Sequence, residues 1–247
     1  FADVGFFFIF RIWINFLNVQ EMKIIYLGHA SLGIETNGKQ IIVDPFISGN
    51  KLAKHINLEE LKADYILLTH AHQDHVLDVE TIAERNGATI ICNAEISYYY
   101  DKKGFKTIGM NTGGKFETDG IKIKSTIAFH SSSFADGSYG GNPNGYVIES
   151  EGKRIYIAGD TALTYEMKLI TETIGQLDLA VFPVGDHFTM GFEDVCFASD
   201  FVQCNKVLGY HFDTFPPIKI DHQKAKDFFT SKGKELILLE IGSDLRV

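Results

Sequence analysis

The chain has 247 residues, 45% of them hydrophobic, and a formal net charge of −9. This length and composition suffice for a buried core, and the acidic balance argues against nucleic acid as the main partner, because phosphate binding needs clustered Lys and Arg. The spacing of Cys92, Cys196 and Cys204 contains no CxxC pair, so it indicates neither a disulfide framework nor a cysteine-rich zinc site and favours a reducing compartment, the cytoplasm.

The first 21 residues differ from the rest of the chain. They are dense in Phe and Ile, and Arg11 interrupts their apolar run, which leaves that run shorter than the roughly 20 apolar residues of a membrane span. The basic start and small-residue cleavage site of a signal peptide are not evident. We expect residues 1–21 to be a nonessential or non-native extension. A membrane-associating anchor and an extra packed element are the alternatives.

From Met22 onward, short β-rich runs alternate with helical runs, which predicts a single α/β domain over residues 22–247. Asn37-Gly38 is a strong hairpin signal between two strands. The run "DYILLTH" predicts a buried strand, "VETIAERNG" a helix that ends at Gly87, and "TIICN" another strand. The run "AEISYYYDKKG" predicts a second helix, which ends at Gly104, and "IKIKSTIAFH" has the period-two alternation of a strand.

The second half continues the alternation. Helices are predicted over "ALTYEMKLITETIG", "FEDVCFASDFVQCN" and "HQKAKDFFTSKG", because their apolar residues recur at helical spacing. Strands are predicted over "GYVIES", "KRIYIAGD", "LDLAVFPVG", "KVLGYH" and "ELILLEI".

A dense group of metal-type ligands, His70-Ala71-His72-Gln73-Asp74-His75, follows the strand predicted over "DYILLTH". In extended backbone, residues 70, 72 and 74 point to one side and residue 75 to the other, so one loop can face two metals. Imidazoles and a carboxylate suit Zn, Mn or Fe. A single catalytic metal needs only three protein ligands and a water, so four donors indicate a pair of divalent ions, with Zn expected first.

Three further candidates stand at the ends of predicted strands. His130 follows "STIAF", Asp160 follows "IYIAG", and His211 follows "VLGY". An α/β fold exposes its functional groups at strand ends, on rigid support. We therefore expect these three residues to complete a two-metal site.

These motifs resemble those of the metallo-β-lactamase superfamily: HxHxDH, a strand-end His, "GDT" and a late strand-end His. More narrowly, "LGHAS", "VDPF", "GDHFTMG" and "HFDTFP" resemble the bacterial metal-dependent hydrolases of the UPF0173 type, related to the ascorbate-6-phosphate lactonases. The similarity runs from about Met22 to the C-terminus. It implies an α/β fold, a four-layer αββα sandwich of two mixed β-sheets with helices outside.

The resemblance also implies two sets of metal ligands and one shared acid. One ion would be held by His70, His72 and His130, the second by Asp74, His75 and His211, with Asp160 bridging them. Two such ions lower the pKa of a shared water and neutralise the oxyanion formed on attack. Asp74 is therefore expected to act in catalysis as well as in metal binding.

The sequence differs from three other branches of the superfamily, and these differences disfavour the activities of those branches. Class B β-lactamases have a Cys where this chain has "AGDT", which disfavours penicillin-type hydrolysis. Flavodiiron oxidoreductases have a Glu where His72 stands and need a flavodoxin module. The nuclease branch with a β-CASP domain needs a longer chain.

Asp44 and Asp78 are candidates for holding histidine rings in one tautomer by accepting a hydrogen bond. Asp44 ends the run "QIIVD" and precedes a proline, so a turn-forming role is its alternative. Asp78 could instead cap the helix that follows it.

Polar residues outside the ligand set are predicted to contact substrate. The resemblance puts His29, in "LGHAS", at the active-site rim, where it could contact substrate or donate a proton to the leaving group. His187 and Asp186, in "GDHFTMG", are predicted to bind substrate. The loop "HSSSFADGSYGGNPNG" could form a flexible lid, bind an anionic group or simply be solvated. His55 and His222 are expected at the surface.

Taken together, the sequence predicts a cytoplasmic hydrolase that uses two divalent ions on a lactone, ester or phosphoester-type bond of a small molecule. No nucleic-acid or membrane partner is expected, and the sequence is compatible with a homo-oligomer. An RNA-processing or phosphodiesterase relative and a metal-binding protein without turnover are the alternatives.

Overall fold

The computed structural model describes residues 21–247. Its first sheet is mixed and has seven strands in the spatial order β14-β1-β2-β3-β4-β5-β6. The pairs from β14 to β3 are antiparallel and those from β3 to β6 are parallel. The strands are β1 Lys23–Gly28, β2 Ser31–Thr36, β3 Lys39–Val43, β4 Tyr65–Leu67, β5 Thr89–Cys92, β6 Thr107–Gly109 and β14 Asp244–Arg246.

The second sheet is also mixed and seven-stranded, in the order β13-β12-β11-β10-β9-β8-β7. Its pairs are antiparallel from β7 to β10 and parallel from β10 to β13. The strands are β7 Lys115–Thr118, β8 Ile121–Ile127, β9 Asn144–Ser150, β10 Lys153–Ile157, β11 Leu179–Pro183, β12 Lys206–Tyr210 and β13 Glu235–Ile237.

Six α-helices occur within residues 21–247. Three of them lie in the connections of the first sheet, and three lie in those of the second. They are α1 Gln73–Val76, α2 Val79–Asn86, α3 Ala94–Asp101, α4 Lys168–Ile174, α5 Phe192–Phe201 and α6 His222–Ser231.

Alternation along the strands produces the layers. In β4, Leu67 belongs to a core cluster that contains residues of both sheets, whereas Ile66 belongs to a second cluster that includes Ile82 of α2 and Ile96 of α3. Successive side chains of a strand point to opposite faces, so one face packs between the sheets and the other against helices. On the far side, α5 contacts β11 and α6 contacts β13. The predicted αββα sandwich is confirmed.

Most predicted elements occur, with differences at short segments. The backbone after β4 turns into the helix α1 at Gln73, where extended backbone was expected through His75. The helix expected from "ALTYEM" begins as a 3₁₀ turn at Tyr165–Met167. The short strands β7 and β14 were not predicted, because their half-exposed residues lack an apolar run and depend on pairing with β8 and β1.

The prediction for residues 1–21 falls, except for Glu21, outside the described residues and stays a prediction. Within residues 21–247, no helix combines the length and apolarity needed to cross a membrane. The three cysteines are buried free thiols. His55 and His222 are exposed, as expected.

Candidate metal centre

The seven predicted metal ligands meet at one end of the sandwich. His70, His72, Asp74 and His75 follow β4 of the first sheet. His130, Asp160 and His211 follow β8, β10 and β12 of the second sheet. Their donor atoms form three overlapping sets, within each of which all atoms lie within 4.8 Å of one another. Loops from both sheets therefore build a single site.

Asp160 lies at the centre of the site. Its Oδ2 is 3.0 Å from Nε2 of His211, 3.4 Å from Nε2 of His75 and 3.7 Å from Nε2 of His130. The side chain is only 3% exposed. One carboxylate oxygen thus faces imidazoles on both sides of the centre.

The donors around Asp160 fall into two groups. The outer group consists of His70, His72 and His130, and the inner group of His29, Asp74, His75 and His211. A third set, formed by His70, His75 and Asp160, joins them. The groups match the two expected ligand sets, with His29 added to the inner one.

A change of backbone conformation separates the two groups. His72 is still extended, with φ −62° and ψ 145°, and the helix α1 starts directly after it. The backbone N–H of His75 donates to the carbonyl of His72 at 2.9 Å. The side chains of Asp74 and His75 therefore project from a helical turn toward the inner group. Those of His70 and His72 project from extended backbone toward the outer group.

Asp44 and Thr69 orient two of the imidazoles. Asp44 Oδ2 accepts hydrogen bonds from Nδ1 of His75 at 3.0 Å and from Oγ1 of Thr69 at 2.6 Å. Because the Thr69 hydroxyl proton is used there, its oxygen accepts from Nδ1 of His70 at 3.0 Å. Nε2 of His70 is thereby left with a lone pair toward the centre, and Nδ1 of His75 is held against Asp44 so that its Nε2 also faces the centre, as in many metal sites.

Asp44 itself is fully buried and has a positive φ of 44°. Its Oδ1 accepts from the backbone N–H of Thr69 at 2.8 Å. The turn-forming alternative and the imidazole-orienting role therefore coexist, because the turn aims the carboxylate at Thr69 and His75.

Asp78 does neither of the things predicted for it. It stands at the N-cap position of α2 without capping it through its side chain. Its Oδ2 accepts from the backbone N–H groups of Ile47 and Ser48 at 2.6 and 2.9 Å, and its Oδ1 from the Ser48 hydroxyl. The carboxylate fixes the loop after β3, and its side-chain hydrogen bonds within residues 21–247 go to that loop rather than to a histidine.

The donor set fits divalent cations. Several buried polar atoms within residues 21–247 have no hydrogen-bond partner, and four of them lie in this one centre: His75 Nε2, Asp160 Oδ1, and both ring nitrogens of His211. Leaving buried polar atoms unpaired costs free energy. Coordination would satisfy the imidazole lone pairs and the carboxylate, and nitrogen and oxygen donors of this kind suit Zn, Mn and Fe.

Electrostatics favours the same protonation states that metal binding needs. Burial, together with neighbouring histidines, holds the pKa of His70 well below its usual value, and burial lowers the pKa of His72 and His130. Burial alone would raise the pKa of Asp160, but His211 and His75 hold it well below the usual range. Neutral imidazoles and charged carboxylates are the forms that bind cations.

His75 is the exception among these imidazoles. Burial disfavours its charged form, but the carboxylates of Asp160 and Asp44 outweigh burial and raise its pKa well above the usual value. The imidazole of His75 lies between the carboxylates of Asp44 and Asp160. A cation that binds its Nε2 would therefore displace a proton.

His29 lies deeper than expected. It was predicted at the active-site rim, but its side chain is fully buried. Nε2 lies 3.0 Å from Oδ2 of Asp74, and Nδ1 lies 3.0 Å from Oγ1 of Thr214. The imidazole stacks at a tilt on His211, with ring centroids 4.1 Å apart. Its surroundings are ligands of the inner group.

His187 and Asp186 lie in the turn after β11 and are exposed. The turn lies beside His211, because a Cβ added to Gly185 would be 2.2 Å from the His211 carbonyl oxygen. The ring of His187 contacts Phe188 edge to face, with centroids 4.5 Å apart. Neither His187 nor Asp186 shares a donor set with the ligands, so their substrate role stays a prediction.

The loop after His130 braces the ligand loop. Ser132 Oγ accepts from the backbone N–H of Ala71 at 3.1 Å and donates to the carbonyl of Gly140 at 2.9 Å. Asn93 also donates to that carbonyl, at 2.7 Å. A Cβ on Gly140 would lie 2.3 Å from Cβ of Ala71. The contacts hold Ala71, between His70 and His72, in place, a role that was not among the three alternatives considered for this loop.

Sequence reasoning missed the residues that orient the imidazoles through a hydroxyl. Thr69 precedes His70 directly, and Thr214 follows His211 by three residues. The position of Thr69 directly before a predicted ligand histidine was a signal that could have indicated its orienting role. No local signal links Thr214 to His29, because the two residues meet only through the fold.

Comparison with known proteins agrees with this geometry. The family model of the beta-lactamase superfamily domain matches residues 39–212. The chain belongs to the β-lactamase superfamily. The matched range contains Asp44, the His70–His75 cluster, His130, Asp160 and His211.

Within the superfamily, the chain belongs with the UPF0173 metal-dependent hydrolases. It is 60% identical over 226 residues to such a hydrolase of Flavobacterium johnsoniae, covering 92% of this chain and 100% of the relative. It is 53% identical to one of Christiangramia forsetii, with the same coverage of both chains. The resemblance inferred from the motifs is confirmed, and the protein is a metal-dependent hydrolase.

A solved structure shares the fold. Igni18, a novel metallo hydrolase from the archaeon Ignicoccus hospitalis, superposes with a TM-score of 0.83 at 35% sequence identity. The alignment covers 92% of this chain and 98% of that one.

Proposed function

We propose that the centre holds two divalent cations and hydrolyses a lactone, ester or phosphoester-type bond in a small molecule. The observation that carries the proposal is the position of Asp160 Oδ2, within 3.0 to 3.7 Å of imidazoles of both the inner and the outer group. A carboxylate oxygen between two groups of lone pairs suits a bridge between two cations. Zn is proposed first, with Mn and Fe as alternatives.

The outer group would hold one cation and Asp74, His75 and His211 the other, with Asp160 shared. Bound there, two cations supply a hydroxide nucleophile near neutral pH and stabilise negative charge on the attacked group. The chain holds the ligands for that chemistry. Asp44 and Thr69 fix the tautomers of His70 and His75, and Ser132 holds the backbone between His70 and His72.

Substrate would enter on the side of His72 and His130. Both side chains are partly exposed, and the Ser131 hydroxyl lies 3.4 Å from Nε2 of His72. The exposed turn with Asp186 and His187 lies beside His211 and is proposed to contact substrate. The net charge of −9 favours a small molecule over RNA as substrate. The cytoplasm is proposed as the compartment, which the three free thiols support.

Metal analysis and a substrate panel test the proposal. We expect about two equivalents of metal per chain, and hydrolysis of lactones or aryl esters that stops on chelation and returns with metal. Preference for bis-p-nitrophenyl phosphate would favour the phosphodiesterase alternative. Full activity in chelated, metal-free protein would overturn the proposal, and inactivity of fully metallated protein on the whole panel would favour a metal-binding protein without turnover.

A further inference from the structure

His29 occupies a strained and buried position next to the inner ligands. It lies in the two-residue turn between β1 and β2 with a positive φ of 54°, a conformation that costs free energy in a residue other than glycine. The backbone N–H of His211 donates to its carbonyl at 2.8 Å. The two residues are thus held together although they come from different sheets.

The contacts of His29 are compatible with two tautomers. Thr214 Oγ1 can donate to Nδ1 of His29 at 3.0 Å, which leaves the imidazole proton on Nε2, or to the carbonyl of Phe212 at 3.3 Å. In the second case the hydroxyl oxygen accepts from Nδ1–H of His29, and Nε2 presents a lone pair to Asp74 Oδ2, 3.0 Å away. Two acceptors this close repel each other unless a cation lies beside both, so the second tautomer is the one that a bound cation would select.

His70 and His75 show the same arrangement. Nδ1 of His70 donates to the Thr69 hydroxyl and Nδ1 of His75 to the carboxylate of Asp44, and in both rings Nε2 faces the centre. His29 repeats the relay of His70, with a threonine hydroxyl on Nδ1 and an acceptor behind that hydroxyl. Metal-binding histidines commonly give their second N–H to such an acceptor.

From this geometry we propose that His29 is a fourth protein donor, through Nε2, to the cation held by Asp74, His75 and His211. The donor atoms of these four residues all lie within 4.8 Å of one another. The inference rests on the proposed metal centre and adds a ligand to it. The competing role is that of a positioning residue, in which Nε2–H of His29 would donate to Asp74 and no coordination would occur.

Nuclear magnetic resonance on the unaltered protein separates the two roles. Full-length protein with ¹⁵N-labelled histidines is loaded with ¹¹³Cd, and the His29 signals are assigned by their loss in His29→Gln. We expect scalar coupling between ¹¹³Cd and Nε2 of His29, and a proton on its Nδ1. A proton on Nε2 without coupling to ¹¹³Cd would overturn the inference.

A pair of substitutions gives an independent readout by metal affinity. Glutamine keeps an N–H that can donate to Asp74 but lacks the imidazole lone pair. His29→Gln should therefore weaken the binding of one equivalent of Zn by more than about 100-fold. Loss of a residue that only orients a ligand would cost roughly 10–100-fold. The matched control is His55→Gln, at an exposed histidine whose Nε2 lies 3.0 Å from the carbonyl oxygen of Ile241. It should bind both equivalents like the unaltered protein.

The outcomes distinguish this inference from the proposed function. If the unaltered protein binds no cation at the centre, the proposed function fails. If it binds two and His29→Gln lowers neither affinity by more than about 100-fold, a loss that a positioning residue accounts for, only the assignment of His29 fails. Circular dichroism checks that His29→Gln folds. If it does not, the His29 signals of the unaltered protein are assigned through the backbone by triple-resonance experiments on ¹³C,¹⁵N-labelled protein, and the ¹¹³Cd couplings decide the question.

Discussion

The inner and outer groups share one ligand loop but differ in their access to water. The imidazoles of His29, His75 and His211 are at most 2% exposed. In the outer group, His130 is 16% exposed and His72 is also partly exposed. A substrate arriving from solvent meets the outer group first, together with Asp74 at the boundary. Two side chains depart from this difference, since Asp74 of the inner group is 30% exposed and His70 of the outer group is buried. We expect the buried imidazoles of the inner group to hold their proposed cation more tightly, and the outer group to face the substrate.

Substitution of Asp160, the acid proposed to be shared, should abolish metal binding in both groups. In Asp160→Asn, the oxygen between the two groups loses its charge, so neither group keeps its bridge. We expect loss of both equivalents of metal and a decrease in kcat on the order of 10³-fold or more, at least that of removing one preorganised electrostatic group. Elemental analysis and steady-state kinetics test this. Retention of two equivalents would show that Asp160 is not shared.

Single substitutions in each group should separate the two cations. His130→Ala is expected to release the outer equivalent and leave the inner one, whereas His211→Ala should release the inner equivalent. Both should lower kcat strongly, because the two-cation arrangement is broken. Titration with a chromophoric chelator resolves the equivalents. Equal affinities for both equivalents in the unaltered protein would contradict the difference between the groups.

Asp44 should affect both groups through one carboxylate. Asp44→Ala removes the acceptor of His75 and, through Thr69, of His70. Loss of such an orienting residue costs roughly 10–100-fold in metal affinity. Zn affinities measured by competition test it, with Asp64→Ala, an exposed acid that accepts from Lys39, as the control. A decrease in the affinity for only one equivalent of Zn would show that Asp44 does not act on both groups.

The metal-free protein should lose stability as pH falls. The folded-state pKa values of His29, His70, His72 and His130 are lowered, that of His29 to about 4, mainly by burial. Unfolding raises them to about 6.5, so the unfolded chain binds more protons below that pH. The raised pKa of His75 acts in a different window, because its stabilising contribution is complete below about pH 6.5 and is lost only as pH rises above that value.

Each net proton taken up on unfolding should lower the free energy of unfolding by roughly 1.4 kcal/mol per pH unit. Urea denaturation of chelated protein between about pH 8 and about pH 5 measures it. A flat profile through this window would show that these imidazoles are not held neutral.

The smallest expected effect concerns the brace behind the outer group. Ser132→Ala removes the acceptor of the Ala71 N–H and should cost about 1 kcal/mol of stability, with a modest loss of affinity for the outer cation only. Ser138→Ala, at an exposed serine of the same loop, is the matched control. Equal effects of the two substitutions would assign the brace no specific role.

Much of the fold, and the meeting of the predicted ligands at one site, could be predicted from the sequence. The cluster from His70 to His75 is local, and His130, Asp160 and His211 end strands whose apolar patterns are strong. Strand ends of parallel sheets gather at one end of a fold, so the meeting of these residues follows from element order. The helix α1 was not readable, because four residues carry too little periodicity.

The contacts around the ligands could not be predicted for a different reason. His29 meets Asp74 and Thr214, and Asp78 meets Ile47 and Ser48, through the packing of loops distant in sequence. Their residue types allow many partners, and only tertiary structure selects one. The structure therefore places His29 not at the active-site rim but in a buried position beside Asp74.

The two sheets meet through an apolar core, but both also contribute to the metal centre. His70 to His75 follow a strand of the first sheet, and His130, Asp160 and His211 follow strands of the second. Each proposed cation would thus act as a cross-link between the two halves of the sandwich. Its ligands assemble only when the sheets have docked, so metal uptake during refolding should mark the docking step. Hydrogen exchange at the strand ends should then slow on metal binding, from both sheets at once.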